Sequence, residues 1–178
     1  MGLCSATALC FRRIMERKGM SGHQGGKSKS DTYLTPPEIL SVLGEFDLDP
    51  CCPPVMPWRT ARRMVSLPED GLDLVWEGRV WLNPPFGNQA SKWMSKMASH
   101  GNGIALIPAR TETKMFYESV WSKASTVLFM RGRPHFHFAD GTRAWGNSGA
   151  PIALVAYNED NAKVLEDSKL GICVRWRA

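Results

Sequence analysis

The sequence has no long apolar run and no cysteine spacing typical of a metal or disulfide scaffold. No stretch approaches the length of a transmembrane helix, and the order of charged and apolar residues near the start is wrong for a secretory signal. The five cysteines are odd in number and show no C-x-x-C spacing. We therefore expect a cytoplasmic protein with no membrane association and no structural metal.

Net charge is also lacking from most of the chain, although the whole sequence carries a formal +5. Residues 1–30 hold six basic side chains and one acidic one, whereas residues 31–178 hold 16 of each. Composition predicts a flexible basic N-terminal segment at residues 1–30 and a single domain at residues 31–178. The overall charge is weak support for nucleic-acid binding, which would have to depend on local patches.

Apolar strands alternate with amphipathic helices along residues 31–178. A helix is predicted where Thr35 can act as N-cap, with Pro36 at the first position and Glu38 three residues after the cap, and Gly44 ends it. Strands are predicted at 46–49, 61–67, 79–82, 103–108, 126–130, 151–157 and 172–176, and further helices at 89–99, 113–122 and 160–167. This alternation indicates an α/β fold with a mostly parallel central sheet covered by helices on both faces.

The most informative stretch is Arg79-Val80-Trp81-Leu82-Asn83-Pro84-Pro85-Phe86-Gly87. Neither proline can donate a ladder hydrogen bond, so a strand here must end at Asn83. Ligands of open α/β sheets bind at the carboxyl ends of strands. For the Asn-Pro-Pro tripeptide alone, an ordinary turn is an equally good interpretation.

These residue types suit the activation of an exocyclic amine. The side-chain carbonyl of Asn83 and the backbone carbonyl of Pro84 can accept both amine hydrogens and help carry the positive charge that develops on nitrogen. Phe86 can stack on the plane of a flipped base. The electrophile would be the sulfonium methyl of S-adenosylmethionine.

Acidic residues upstream are candidate ligands of that cofactor. Asp47 and Asp49 end the short strand predicted at 46–49, and Asp70 lies on the turn before the strand predicted at 79–82. We expect the first two at the same sheet edge, near the ammonium group or ribose hydroxyls, and Asp70 near the adenine amine. Turn acids and helix caps remain the alternative interpretation for each.

Several elements, taken in order, resemble the phage-type DNA N6-adenine methyltransferase (Dam) family. They are Tyr33-Leu34-Thr35-Pro36-Pro37-Glu38, Phe46-Asp47-Leu48-Asp49-Pro50, Asp70-Gly71-Leu72, Asn83-Pro84-Pro85-Phe86, Ala109-Arg110-Thr111-Glu112-Thr113 and Arg131-Gly132-Arg133. The resemblance implies a Rossmann-like methyltransferase fold with an antiparallel strand near the C-terminus. It also implies phage or prophage origin, action in the bacterial host cytoplasm and site-specific methylation that protects DNA against restriction.

The resemblance assigns roles to particular residues. The catalytic set it implies is Asn83, Pro84, Pro85 and Phe86. The set it implies for binding S-adenosylmethionine is Tyr33, Thr35, Pro36, Asp47, Asp49 and Pro50, to which the acidic pattern adds Asp70. The chain departs from the wider methyltransferase pattern because the glycine-rich cofactor loop is replaced by Asp49-Pro50-Cys51-Cys52-Pro53 and the cofactor half is abridged.

Basic and aromatic residues alternate in the second half and predict contact with double-stranded DNA. The candidate DNA-binding residues are Arg110, Lys114, Arg131, Arg133 and Arg143. Specificity is expected in residues 110–118 and 131–149, for which a solvated loop is the alternative. His135, His137 and Asp140 have a spacing that strand alternation also produces, so we predict no metal site.

Two other functions stay open from the sequence. One is methylation of another amine or amide, such as cytosine N4, a guanine amine in RNA or a protein glutamine. The other is a degenerate methyltransferase fold that only binds nucleic acid.

Overall fold

Buried strands pair into one seven-stranded sheet in the computed structural model, which describes residues 33–176. The predicted segment at residues 1–30 lies outside the described residues. The strands are β1 Leu48–Asp49, β2 Arg63–Met64, β3 Val80–Leu82, β4 Gly103–Pro108, β5 Thr126–Met130, β6 Ile152–Tyr157 and β7 Gly171–Val174. Their spatial order is β2-β1-β3-β4-β6-β5-β7.

The sheet is mixed. Pairs β1–β2, β1–β3 and β3–β4 are parallel, whereas β4–β6, β5–β6 and β5–β7 are antiparallel. The α/β class predicted from the sequence is confirmed in this coarser form. Strand β6 runs against β4 and lies between β4 and β5, so β5 runs in the same direction as β4.

Helices cover both faces of the sheet, as predicted. They are α1 Pro37–Leu43, α2 Ala90–His100, α3 Lys114–Phe116, which continues as a π-helix over Tyr117–Trp121, and α4 Glu159–Ser168. In β4, Ala105 and Ile107 pack towards α2 and α3, while Ile104 and Leu106 pack towards α1 and α4. The period of two along a strand buried on both sides therefore divides the core into two layers.

Helix α1 begins later than the sequence predicted. Pro36 is the N-cap, with the extended angles φ −55° and ψ 135°, because a residue that precedes a proline is disfavoured in the α region. No side chain caps this helix, so the prediction that Thr35 caps it is wrong. The expected end at Gly44 is confirmed.

Candidate functional site

The predicted site residues are brought together by strand direction. Strands β1, β3 and β4 are parallel, and β5 has the same direction, so all four end at one edge of the sheet. Pro50, Asn83, Arg110 and Arg131 follow these ends within two residues. This edge is the place where open α/β sheets bind ligands.

Two prolines end the ladder between β3 and β4. The parallel register pairs Leu82 with Ala105. In this register, the next two rungs would require N–H groups from Pro84 and from Pro108, and proline has none. The ladder therefore ends at Leu82 and the chain leaves it at Asn83, as the sequence predicted for β3.

Hydrogen bonding on the other side of β4 fixes the direction in which Pro108 faces. The amide of Ala109 donates to the Pro151 carbonyl at 2.9 Å, towards β6. Successive amides of a strand point to opposite sides, so the nitrogen of Pro108 faces β3. Within residues 33–176, no donor hydrogen-bonds to the carbonyl of Pro84.

The Asn83 amide is held in one orientation. Its Nδ2 donates to the Tyr33 carbonyl at 3.3 Å, and its Oδ1 accepts no hydrogen bond in the described part of the chain. The side chain is half-buried, and Phe86, three residues later, is 36% exposed. Asn83 thus has a side-chain oxygen without a hydrogen bond, and the next residue, the buried Pro84, has an unbonded carbonyl. The accessible ring of Phe86 follows two residues after Pro84.

Asp49 is a buried acid at the end of β1. Only 3% of the residue is exposed, and its carboxylate accepts hydrogen bonds from the Thr60 hydroxyl and from the Cys51 amide, the latter at 3.1 Å. Burial raises the pKa of Asp49 to about 6, although both hydrogen bonds act in the opposite direction. None of the basic side chains in residues 33–176 forms an ion pair with it.

Asp49 and Asn83 lie on the same face of the sheet. Leu48 pairs with Val80, and both pack into the layer of α2, so the alternating residues Asp49 and Asn83 belong to the opposite face. The rise per residue and the strand spacing place their Cα atoms about 8 Å apart. The two residues therefore lie close together on one face of the sheet.

The prediction that Asp47 shares this edge with Asp49 is wrong. Asp47 accepts a hydrogen bond from the backbone amide of Arg79 at 2.8 Å, at the amino end of β3, and Arg62 lies 3.7 Å from its other oxygen. The same strand geometry places its Cα about 14 Å from that of Asn83. Asp47 joins β1 to β3 at the far end of both strands.

The turn that carries Asp70 packs against the end of β1. Asp70 accepts a hydrogen bond from the amide of Leu72 at 2.9 Å, which closes the turn. A Cβ atom on Gly71 would lie only 1.9 Å from the Pro50 carbonyl oxygen, so only glycine permits this approach. Burial raises the pKa of the Cys51 thiol, and nearby negative charges, that of Asp70 among them, raise it further.

Three buried polar atoms in this region have no hydrogen-bond partner. They are Oγ1 of Thr35, Nε1 of Trp58 and Nδ1 of His137. The rings of Trp58 and His137 meet edge to face at 5.2 Å, and His137 pairs with Leu34 as an isolated bridge. The sequence did not identify Trp58 or Thr60, because nothing in the pattern of a proline-rich segment indicates which side chains face inward.

The predicted DNA-binding residues are all exposed, but their local contacts differ. Lys114 lies 3.6 Å from Glu118, one helical turn later, and Arg133 donates to the Gly149 carbonyl at 3.1 Å. Arg110 follows β4, Arg131 follows β5, and Arg143 pairs with His137 in an isolated bridge. The Asp140 carboxylate accepts from Thr142, and residues 33–176 contain no group of three or more His, Cys, Asp or Glu placed to hold a metal ion.

Two surface depressions, of about 530 and 360 Å³, border α2. None of the predicted site residues lines either depression, although Leu72 and Met115, which are close in the chain to Asp70 and Lys114, do. The lining consists mainly of α2 serines and lysines. They do not form part of the site at the sheet edge.

Comparison with protein-family models, curated proteins and solved structures found no match to this chain. The methyltransferase resemblance therefore stays a prediction from the motifs. Within residues 33–176, no helix is long and apolar enough to cross a membrane.

The raised pKa of Asp49 predicts an unusual pH dependence of stability. The folded-state pKa of about 6 exceeds the ordinary 3.8, so stability falls as the pH rises from about 4 through 6 and Asp49 ionises. We expect Asp49→Asn to raise the free energy of unfolding by about 1–3 kcal/mol near pH 7.5. The gain should disappear towards pH 4, as measured by urea unfolding at both pH values.

Asp73→Asn is the matched control, because Asp73 is exposed and the substitution removes the same charge. It should change stability little at either pH. A loss of stability in Asp49→Asn near pH 7.5 would show that the ionised carboxylate supports the fold.

Proposed function

We propose that the protein transfers a methyl group from S-adenosylmethionine to the N6 amine of adenine in double-stranded DNA. The observation that carries this proposal is the orientation of Asn83. Its amide nitrogen donates to the Tyr33 carbonyl, which leaves its oxygen without a hydrogen bond, and the carbonyl of the next residue, Pro84, is also unbonded. Two acceptors on adjacent residues are what an exocyclic amine with two hydrogens requires.

The two acceptors account for how this site would act on the amine. The lone pair of an aromatic amine is delocalised into the ring, which makes the nitrogen a poor nucleophile. Hydrogen bonds from the amine to Asn83 Oδ1 and Pro84 O favour a more tetrahedral nitrogen and stabilise its developing positive charge. Phe86 is accessible for stacking on the flipped base. No general base is needed, since the nitrogen becomes strongly acidic once alkylated.

The residues around Asp49 fit the proposed cofactor. Asp49 is a buried carboxylate without a cationic partner in the described residues, and the Thr35 hydroxyl is buried without a hydrogen bond. A ligand with an ammonium group and several hydroxyl or carboxylate oxygens would satisfy both groups. When bound, S-adenosylmethionine supplies an electrophilic sulfonium methyl group. Asp49, Thr35 and the Asp70 turn would hold it, and the position of Asp47 argues against a direct role for that residue.

Strand direction supports the finer Rossmann-like methyltransferase fold. Strands β1 to β5 share one direction. Strand β6 is reversed and lies between β4 and β5, and β7, the outermost strand next to β5, is also reversed. The exposed Arg110, Arg131 and Arg143 support DNA as the substrate. The phage origin and the protective role proposed from the motifs follow only from the resemblance.

Asn83→Ala tests the proposal directly. We expect methyl transfer to fall by at least about a hundredfold, since a preorganised acceptor at the reacting nitrogen is lost. Cofactor affinity, measured by calorimetry, should stay within about threefold of the wild type, a change smaller than one hydrogen bond contributes. Transfer is measured with labelled S-adenosylmethionine and unmethylated DNA, followed by digestion to nucleosides and identification of the labelled base.

Asn88→Ala is the control, because Asn88 is exposed in the same loop and should be replaceable without effect. Label in N6-methyladenine supports the proposal, whereas label in N4-methylcytosine contradicts it. DNA binding without any cofactor binding would instead favour a protein that only binds nucleic acid.

Thr35→Val tests the cofactor side of the site. The Thr35 hydroxyl has no partner in this structure, so the isosteric valine should leave the free energy of unfolding unchanged or slightly raised. The affinity for S-adenosylmethionine should fall about three- to tenfold, as expected for one lost hydrogen bond.

Thr126→Val is a closely matched control. Thr126 is also fully buried with an unpartnered hydroxyl, but it begins β5 at the opposite edge of the sheet. Its substitution should affect stability in the same way and leave cofactor affinity unchanged. Equal losses of affinity in both variants would remove Thr35 from the site.

A further inference from the structure

Trp145 is the most exposed of the large apolar side chains in the described residues, at 97%. Tryptophan is usually well buried, because its ring offers a large apolar area. The exposed indole ring offers a large, flat apolar face to a ligand. No other large apolar side chain of residues 131–149 is exposed, which argues against an ordinary hydrophobic protein interface.

The loop that carries Trp145 is built rigidly. Residues 136–144 form a small hairpin, in which Ala144 N donates to Phe136 O and Phe138 N donates to Thr142 O, each at 2.8 Å. Beyond Trp145, the amide of Ser148 donates to Pro134 O at 2.9 Å and closes the segment. The ring therefore projects from a backbone held on both sides, which limits the entropy lost on binding.

The hairpin lies beside the proposed catalytic residues. Tyr33, whose carbonyl holds Asn83, has its ring 6.2 Å from that of Phe138. Leu34 pairs with His137, and His137 pairs with Arg143. Arg143 is thus two strand spacings, about 10 Å, from the segment that orients Asn83.

The charge around Trp145 indicates the chemistry of its partner. Residues 131–149 contain three arginines, Arg131, Arg133 and Arg143, and a single acid, Asp140. Exposed arginines next to an exposed aromatic ring suit a polyanion with flat apolar faces, which is the chemistry of DNA.

We propose that the Trp145 indole ring stacks on a base of bound double-stranded DNA, beside a phosphate held by Arg143. This inference rests on the proposed function in taking DNA as the substrate. Trp145 would replace stacking that is lost when a neighbouring base leaves the helix, because an inserted side chain fills the space next to a flipped nucleotide.

The test measures binding of a fluorescein-labelled duplex by anisotropy for the full-length chain. Trp145→Ala should weaken binding about five- to a hundredfold, the usual effect of losing one aromatic stacking partner, and Trp145→Phe should recover most of it. The slope of log affinity against log salt should be unchanged in Trp145→Ala and smaller by about one in Arg143→Ala. Val75→Ala is the control, because Val75 is an apolar side chain that is 81% exposed and lies outside residues 110–118 and 131–149.

The outcomes separate this inference from the proposed function. Wild-type DNA affinity in Trp145→Ala, an equal loss in Val75→Ala, or no duplex binding by the wild type would each overturn it. Trp145-dependent binding without methyl transfer would support the DNA surface and contradict the proposed activity. Methyl transfer together with unaltered DNA binding in Trp145→Ala would support the proposed activity and contradict the DNA surface.

A second inference concerns Pro108 and depends on the strand register. Its nitrogen faces β3 at the position where a donor would bond to the Pro84 carbonyl. Any other residue would place an N–H group there. We infer that Pro108 is a positioning residue that keeps the Pro84 carbonyl available for the substrate amine, and this also rests on the proposed function.

Pro108→Ala should restore the missing rung and occupy the Pro84 carbonyl. We expect kcat to fall about tenfold, with KM for DNA and cofactor affinity unchanged, since one hydrogen bond to the transition state is weakened. The restored amide of residue 108 should be protected from hydrogen exchange, as measured by NMR. Pro151→Ala is the matched control, because its restored amide would face the Ala109 carbonyl, on the side of β4 away from β3.

An unprotected amide at residue 108 would overturn the inferred rung whatever the enzyme does. A protected amide with unaltered kcat would show that the Pro84 carbonyl is not used by the substrate, and would overturn the positioning role. An equal fall in kcat for Pro151→Ala would show that any change at this edge of the sheet lowers kcat, and would overturn a specific role for Pro108.

Discussion

The missing N–H group of proline is the constraint on which the candidate site depends. A parallel ladder normally continues until a loop diverges, and its carbonyls are then bonded to the neighbouring strand. Here the next two donors would be Pro84, two residues beyond β3, and Pro108 in β4, and neither has an N–H group, so pairing stops after Leu82 and Ala105. The carbonyl of Pro84, just beyond β3, is left without a hydrogen bond in the described residues. The Asn83 side chain, turned by Tyr33, adds a second acceptor next to it.

The buried carboxylate of Asp49 lowers the stability of the folded protein near neutral pH. Its carboxylate is buried and bonded by Thr60 and Cys51, yet burial outweighs both bonds and raises its pKa to about 6. Near neutral pH the protein thus keeps a charge that its own residues only partly stabilise. A cationic ligand would gain most from this arrangement, because the penalty of burying the acid is already present before the ligand binds. The unbonded Thr35 hydroxyl is a smaller example of the same arrangement.

The sequence predicted the features that depend on local chemistry. It missed those that depend on contacts with residues elsewhere in the chain. The strand break at Asn83 and the strands at 103–108 and 126–130 follow from proline and from apolar runs, and all three are confirmed. Asp47 and Asp49 look equivalent in the sequence, because they differ only by two positions along one strand. The two carboxylates differ in their hydrogen-bond donors: the Arg79 backbone amide donates to Asp47, and the Thr60 hydroxyl donates to Asp49. The role inferred for Pro108 likewise follows only from the register of β4 against β3, which the sequence does not give.

The reversed strand β6 explains why a proposed DNA surface can lie next to the site in a domain of this size. Because β5 ends at the edge that carries Asn83 and β6 runs back from it, the connection at residues 131–151 must begin and end at that same edge. A long connection there has nowhere to pack except over the ends of the neighbouring strands. It folds into the hairpin that pairs with Leu34. The exposed Arg143 therefore lies two strand spacings from the segment that orients Asn83, and Trp145 follows two residues later in the chain. A parallel strand in the place of β6 would have required a crossover to the opposite edge, and the basic loop would then have been shared between the two edges of the sheet.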